Sequence, residues 1–153
     1  MRLRSKICYA KRRQQLRPGL IAMVRDQSFG GLESECPYSH LREFEQLCNY
    51  LVISGMSSET LRWLLFPFSL TGDAKIWCNQ TVSKVEGSWE ELKSSFCLRF
   101  FPPNKVVDLR CEVLSFRQRE RESLGAAWAR FNRLASSGPD LAIPKAMPLQ
   151  HFV

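Results

Sequence analysis

Cysteine and histidine are the first residues in this sequence whose chemistry could carry a function. A structural zinc ion needs four Cys or His ligands, which usually come as closely spaced pairs. The chain has six cysteines and two histidines, and no C-x-x-C pair occurs among them. The nearest set is Cys36, His40 and Cys48, which offers three ligands on one predicted helix and its cap. We interpret this set as packing at the start of a helix and predict no metal ion.

The sequence contains no recognisable catalytic motif. Nucleophilic catalysis needs a Ser or Cys within reach of a His, and we assign both His40 and His151 to surface or packing roles. The segment from Thr71 to Lys75 lacks the glycine and lysine spacing of a phosphate-binding loop, so we interpret it as a helix cap. The Asp-Ser/Thr-Gly triplet of aspartic proteases is absent. We therefore predict a protein that is not an enzyme, with no catalytic residue, no cofactor and no small-molecule substrate.

Positive charge is concentrated at the start of the chain. Residues 1–17 hold seven of the 22 basic residues and no acidic one; the other 15 basic residues balance the 15 acidic residues. We predict a basic, flexible N-terminal arm over residues 1–19, with three open interpretations: a disordered tail, an electrostatic contact with RNA, or an organelle transit peptide. The predicted nucleic-acid contacts are Lys11, Arg12, Arg13 and Arg17.

No feature of the sequence is typical of a secreted or membrane protein. The N-terminus is charged and lacks the apolar core of a signal peptide. The longest strongly apolar run, from Trp63 to Phe68, is too short to span a bilayer. We expect an intracellular protein, in the cytoplasm or the nucleus, with reduced cysteines and no membrane partner.

The chain after the arm is typical of a helical protein. Apolar residues recur at intervals of three and four, and Gly, Pro and Ser separate the periodic segments. Helices are predicted to start at or next to Pro37, Ser58, Thr71, Ser88, Asn104, Ser123 and Pro144. At Ser88, a glutamate three residues later completes a predicted capping box. The fold class is therefore all-α, a compact bundle of about six or seven short helices.

The aromatic residues follow the predicted helical stripes. Stacking on nucleic acid would need exposed aromatic residues interleaved with Lys and Arg. We assign these side chains to the core, with an assembly interface as the alternative. They are Trp77, Trp89, Phe96, Phe100, Trp128 and Phe131.

Short motifs run in order along residues 18–153. The most specific is Leu65-Phe66-Pro67-Phe68-Ser69-Leu70, followed by Ala74 and Trp77. The series resembles the gag domain of plant gypsy-class LTR retrotransposons. The positions that carry the resemblance are Leu41, Phe44, Phe66, Pro67, Phe68, Leu70, Trp77, Trp89, Leu92, Phe96, Phe100, Phe101, Pro102, Trp128 and Phe131.

This resemblance implies a retroviral capsid-like helical domain over residues 20–153. Such domains self-associate into virus-like particles that package the element's RNA, and the resemblance implies no catalytic residue. The family's last helix continues past an aromatic residue, whereas this chain stops at Val153. We therefore expect a domain truncated at its C-terminal end. The alternatives are an RNA-binding protein acting through the basic arm, or a protein-interaction adaptor recruited by a host.

Overall fold

The computed structural model describes residues 16–85 and 88–143. Within these ranges the chain forms seven α-helices, a 3₁₀ turn over Phe66–Ser69 and no strand, which confirms the predicted all-α class. The helices are α1 (Pro18–Arg25), α2 (Pro37–Asn49), α3 (Ser58–Leu65), α4 (Gly72–Thr81), α5 (Trp89–Phe100), α6 (Pro103–Leu114) and α7 (Leu124–Ala135). In the described part of the chain, no helix has the length and apolar content needed to cross a membrane.

Helices α2 to α7 correspond to the six helices predicted before residue 144. Ser123 caps α7 as predicted, because its hydroxyl accepts a hydrogen bond from the N–H of Ala126 at 3.2 Å. Ser88 accepts in the same way from the N–H of Glu91 at 3.3 Å. In the predicted capping box, the side chain of Glu91 would accept a hydrogen bond from the N–H of Ser88. This N–H instead donates to the carbonyl of Val85.

Two predicted helix caps were wrong by one or two positions. Helix α3 is capped by Ser57 rather than by Ser58. Helix α6 begins at Pro103 with Pro102 in the cap position, so Asn104 lies in the first turn instead of capping it. The fixed backbone angle of proline suits the first helical position, where its missing N–H is no loss.

Helix α1 was not predicted. The predicted arm of residues 1–19 ends inside it, because Pro18 and Gly19 form its first turn and Leu16 just before it is buried. The helix has no side-chain cap and no acidic residue in its first turn, so its start carries few of the usual signals. Residues 1–15 lie outside the described part of the chain, and so does the helix predicted near Pro144.

The described residues form two compact units. The first comprises residues 16–35 and the stretch from 40 to 95. Its centre is aromatic: the rings of Phe44, Phe66 and Trp89 lie with their centroids 5.1 to 5.5 Å apart. All three are buried, which confirms the core assignment of Trp89. Aromatic pairs in tilted and edge-to-face arrangements stabilise a core beyond the apolar area that they bury.

A backbone bridge ties the loop after α1 to the start of α4. The N–H of Phe29 donates to the carbonyl of Ser69, and the carbonyl of Phe29 accepts from the N–H of Thr71, both at 2.9 Å. The carbonyl of Gly30 then accepts from the N–H of Ala74 at 3.1 Å. Thr71 occupies the predicted cap position of α4, but its side chain makes no capping hydrogen bond. The carbonyl of Gly30 instead accepts a hydrogen bond from a backbone N–H in the first turn of α4.

The second unit comprises residues 36–39 and those from 96 onward, of which the structure describes 96–143. Helices α6 and α7 pack against each other in it. The buried side chains of this core are Leu109, Val113, Phe116, Phe131 and Leu141. Gly138 packs closely against this core. A Cβ at this position would lie 2.4 Å from Cδ2 of Leu109 and 3.0 Å from Cζ of Phe101.

The substitution Gly138→Ala should therefore destabilise the protein by about 1–3 kcal/mol, because the added methyl overpacks the core. The matched control is Gly125→Ala in the first turn of α7, where a Cβ would meet no atom within 4 Å. It should be neutral or stabilising by up to about 1 kcal/mol. Urea unfolding measures both. Equal midpoints for Gly138→Ala and wild type would show that the core yields at this point.

Candidate interaction surfaces

The three candidate metal ligands, Cys36, His40 and Cys48, differ in burial. His40 and Cys48 are buried, which confirms the packing role predicted for them, and Cys36 is half-buried. The Nε2 atom of His40 lies 3.1 Å from Oγ of Ser69, and its ring stacks on Phe29 with the centroids 5.4 Å apart. Among the described residues, no group of three or more Cys, His, Asp or Glu side chains could hold a metal ion.

Burial lowers the pKa of His40 to about 4, although the carboxylate of Glu35 acts in the opposite direction. The ring is therefore neutral at pH 7. A neutral ring can form a hydrogen bond with Ser69 and stack on Phe29 without the penalty of burying a charge.

This shift predicts a pH-dependent stability. The unfolded histidine titrates near 6.5 and the folded one near 4, so the unfolded chain binds more protons between these values. The free energy of unfolding should fall as the pH drops through this window, by up to about 3 kcal/mol. His40→Gln should flatten that part of the profile, measured by urea unfolding from about pH 7 to about pH 4. An unchanged slope in the variant would show that other groups cause it.

Two large apolar residues of α7 lie at the surface. Trp128 is 44% exposed, so its assignment to the core was wrong, and Leu124 is 59% exposed. They are four residues apart and share one side of the helix; we call them the Trp128 ridge. The buried face of α7 is formed by Ala127 and Phe131. The Trp128 ring stacks on Phe131, with the centroids 5.9 Å apart.

The other positions that carry the gag resemblance are mostly buried. Phe68, Trp77, Phe101 and Pro102 are half-buried rather than buried. The ring of Phe68 lies beneath two cations, Arg25 and Lys75, at 5.7 and 5.5 Å. The buried positions are Leu41, Phe44, Phe66, Pro67, Leu70, Trp89, Leu92, Phe96, Phe100 and Phe131.

An open groove of about 520 Å³ lies in the second unit between the end of α5 and α6. Leu98, Val107 and Leu114 line it and are 65%, 60% and 39% exposed. At one side the ring of Tyr38 meets Phe101 edge-on, with the centroids 5.2 Å apart. The remaining lining residues are Cys97, Pro103, Val106, Arg110 and Cys111. We call this feature the α5–α6 groove. Sequence reasoning missed it, although Val107 and Leu114 stand seven residues apart beside the predicted core stripe.

Arg110 is the only charged residue among the described residues that line the groove. Its Nη2 atom lies 3.4 Å from the carbonyl oxygen of Leu141, a long hydrogen bond. Burial raises the pKa of Tyr38 to about 12, with the Cys97 sulfur acting in the same direction, so the phenol stays neutral. Residues 96–143 carry eight basic and five acidic residues, a net charge of +3. The positive charge in the lining of the groove is therefore that of Arg110.

The five described cysteines are free thiols that differ in exposure. Cys48 and Cys78 are buried, Cys36 and Cys97 are half-buried, and Cys111 is exposed. Because Cys111 also lines the α5–α6 groove, it provides a natural chemical reporter of whether the groove is covered.

The arginine-rich loop before α7 is closed by an ion pair. The guanidinium of Arg130 lies 2.8 Å from Glu122 and stacks over the ring of Phe116 at 4.1 Å. The hydrogen bond from Arg130 lowers the pKa of Glu122 to about 2. Arg130 therefore has a structural role. Of the predicted nucleic-acid contacts, the described part of the chain includes Arg17, which is exposed.

The remaining predicted contacts, Lys11, Arg12 and Arg13, lie outside the described residues.

No protein-family model matches the chain, and no curated protein or solved structure matches it. The resemblance to the gag domain therefore rests on the sequence motifs and stays a prediction.

Proposed function

We propose that this chain is a non-catalytic structural protein of the gag type, which self-associates through helical surfaces in the cytoplasm into particles that package the RNA of an LTR retrotransposon. The ordered series of sequence motifs supports this proposal, and a capsid-like fold is part of it. The helical class agrees with the proposal but is shared by many unrelated proteins.

The observation that carries self-association is the Trp128 ridge. A tryptophan that is 44% exposed leaves a large apolar ring in water, and Leu124 extends the same apolar surface along α7. Tryptophan is among the residues that contribute most to protein interfaces when it becomes buried there. An apolar ridge on a helix can pack against the same ridge of a second copy, which gives a symmetric contact.

A second candidate function is RNA binding through the N-terminal arm. It is favoured by the placement of all seven excess positive charges in residues 1–17. Such binding would weaken steeply with salt, because each phosphate contact releases counterions. In the gag proposal the same arm holds the packaged RNA, so both functions can use it.

The test of self-association is light scattering across protein concentration and salt, with and without RNA. The wild type should grow into large particles as concentration rises. Trp128→Ala should raise the concentration needed by about tenfold or more, because it removes an aromatic anchor from the contact. The control is Tyr50→Ala, which removes an exposed aromatic side chain from the first unit and should leave association unchanged.

Circular dichroism should show the same helical content in both variants and the wild type. A wild-type protein that stays monomeric at every concentration and salt, with and without RNA, would overturn the self-association proposal. Assembly that is equally strong in Trp128→Ala would place the contact on a surface other than the Trp128 ridge.

A further inference from the structure

The α5–α6 groove collects exposed apolar side chains in one place. Three of the exposed large apolar residues of the described chain, Leu98, Val107 and Leu114, line it together. Single exposed apolar side chains are ordinary on a protein surface, but a cluster around a concave groove is typical of a binding surface. The groove is open to solvent, which suits a chain segment better than an enclosed small molecule.

The polarity of the lining favours a helical occupant. Apart from the Tyr38 hydroxyl, the thiols and Arg110, the lining side chains are apolar. An extended peptide laid in such a groove would bury backbone N–H and C=O groups that find few partners. A helix satisfies these groups internally and presents apolar side chains on one face. Two helices form the walls, and a third can pack its ridges between theirs.

The charge of the groove favours an acidic occupant. Arg110 lines it without an acidic residue among the lining side chains. A carboxylate opposite Arg110 would form a charge-assisted hydrogen bond, and a lysine or arginine at that place would be repelled. The electrostatic and apolar features therefore specify one kind of partner.

The other described helices of the chain do not have this pattern. Helix α7 exposes two large apolar residues, Leu124 and Trp128, but contains no acidic residue. Helices α1 and α4 expose one each, Met23 and Ile76. Helices α1 to α4 and α7 of a second copy are therefore a poorer fit than an amphipathic helix that carries an acidic residue.

We propose that the α5–α6 groove binds an amphipathic helix of another protein, which packs apolar side chains on Leu98, Val107 and Leu114 and places one Asp or Glu against Arg110. This partner binding uses a different surface from the Trp128 ridge. The experiments on the two surfaces are separate, so either proposal can fail while the other stands.

The first experiment measures binding of a labelled synthetic probe by fluorescence anisotropy. The probe is a helix-forming peptide of about 15 residues, with leucines at i, i+3 and i+7 and one glutamate on the same face. Full-length protein should bind it, and Val107→Asp or Leu98→Asp should weaken binding by at least about tenfold. The matched control is Val52→Asp, an exposed valine of the first unit, which should bind the probe like the wild type.

Charge reversal tests the role of Arg110. A second peptide carries lysine in place of the glutamate. Wild-type protein should prefer the glutamate peptide, and Arg110→Glu should prefer the lysine peptide. Absence of binding to the wild type, or an equal preference in the wild type and Arg110→Glu, would overturn the proposal. Because Arg110 is exposed, the substitution should leave the helical content unchanged, which circular dichroism checks.

The second experiment places the bound peptide. Maleimide labelling of each cysteine is followed by mass spectrometry, with and without the glutamate peptide. The peptide should slow labelling of Cys111 by at least about tenfold and leave Cys36 unaffected. Binding that leaves the Cys111 rate unchanged would overturn the proposal, because the peptide would lie elsewhere. A loss of wild-type oligomers in Val107→Asp would also overturn it and assign the groove to a second copy.

Discussion

The first unit depends on a proline-containing turn. Pro67 cannot donate a backbone hydrogen bond, so α3 ends at Leu65 and the chain continues as the 3₁₀ turn Phe66–Ser69. Phe66, the first residue of this turn, lies at the centre of the core, where its ring meets Phe44 and Trp89. The turn also contacts α1, α3 and α4. A longer helix in its place would remove the contact that these elements share.

The polar groups of this turn are satisfied inside the core. The hydroxyl of Ser69 donates to the carbonyl of Phe66 at 2.7 Å, and its oxygen lies 3.1 Å from the Nε2 atom of His40. The carbonyl of Ser69 accepts from Phe29. A buried polar group that lost such a partner would destabilise the fold, since it could not recover its bond with water. His40 therefore has a packing role, because its buried ring fills the interior and is within hydrogen-bond distance of Ser69.

The second unit presents the surfaces that a function can use. Its helices are short and its core is small, so apolar side chains that would be covered in a larger domain stay at the surface. The Trp128 ridge and the α5–α6 groove both arise in this way. The ridge is convex and suits a contact with a similar surface, whereas the groove is concave and has a cation at its lining. The same unit can therefore serve two kinds of contact.

Much of this architecture is local and can be read from the amino acids. The helices from Pro37 to Ala135 follow from apolar spacing, from Ser123 as a cap and from prolines as stops, because these signals act within a few residues. The burial of Trp89 follows in the same way, since it lies on a stripe that a helix must cover.

Only the tertiary structure decided how wide each buried face is. Periodicity places Trp128 and Phe131 on one stripe, but whether a position on its edge is covered depends on the helices packed beside it. The groove was missed in the sequence because one side of it is formed by Tyr38, which is distant along the chain from α5 and α6. Helix α1 was missed because its stability comes from burying Val24 rather than from capping residues. The sequence by itself determined helices α2 to α7 and the periodicity of their apolar residues, and long-range packing decided which of these side chains remained exposed.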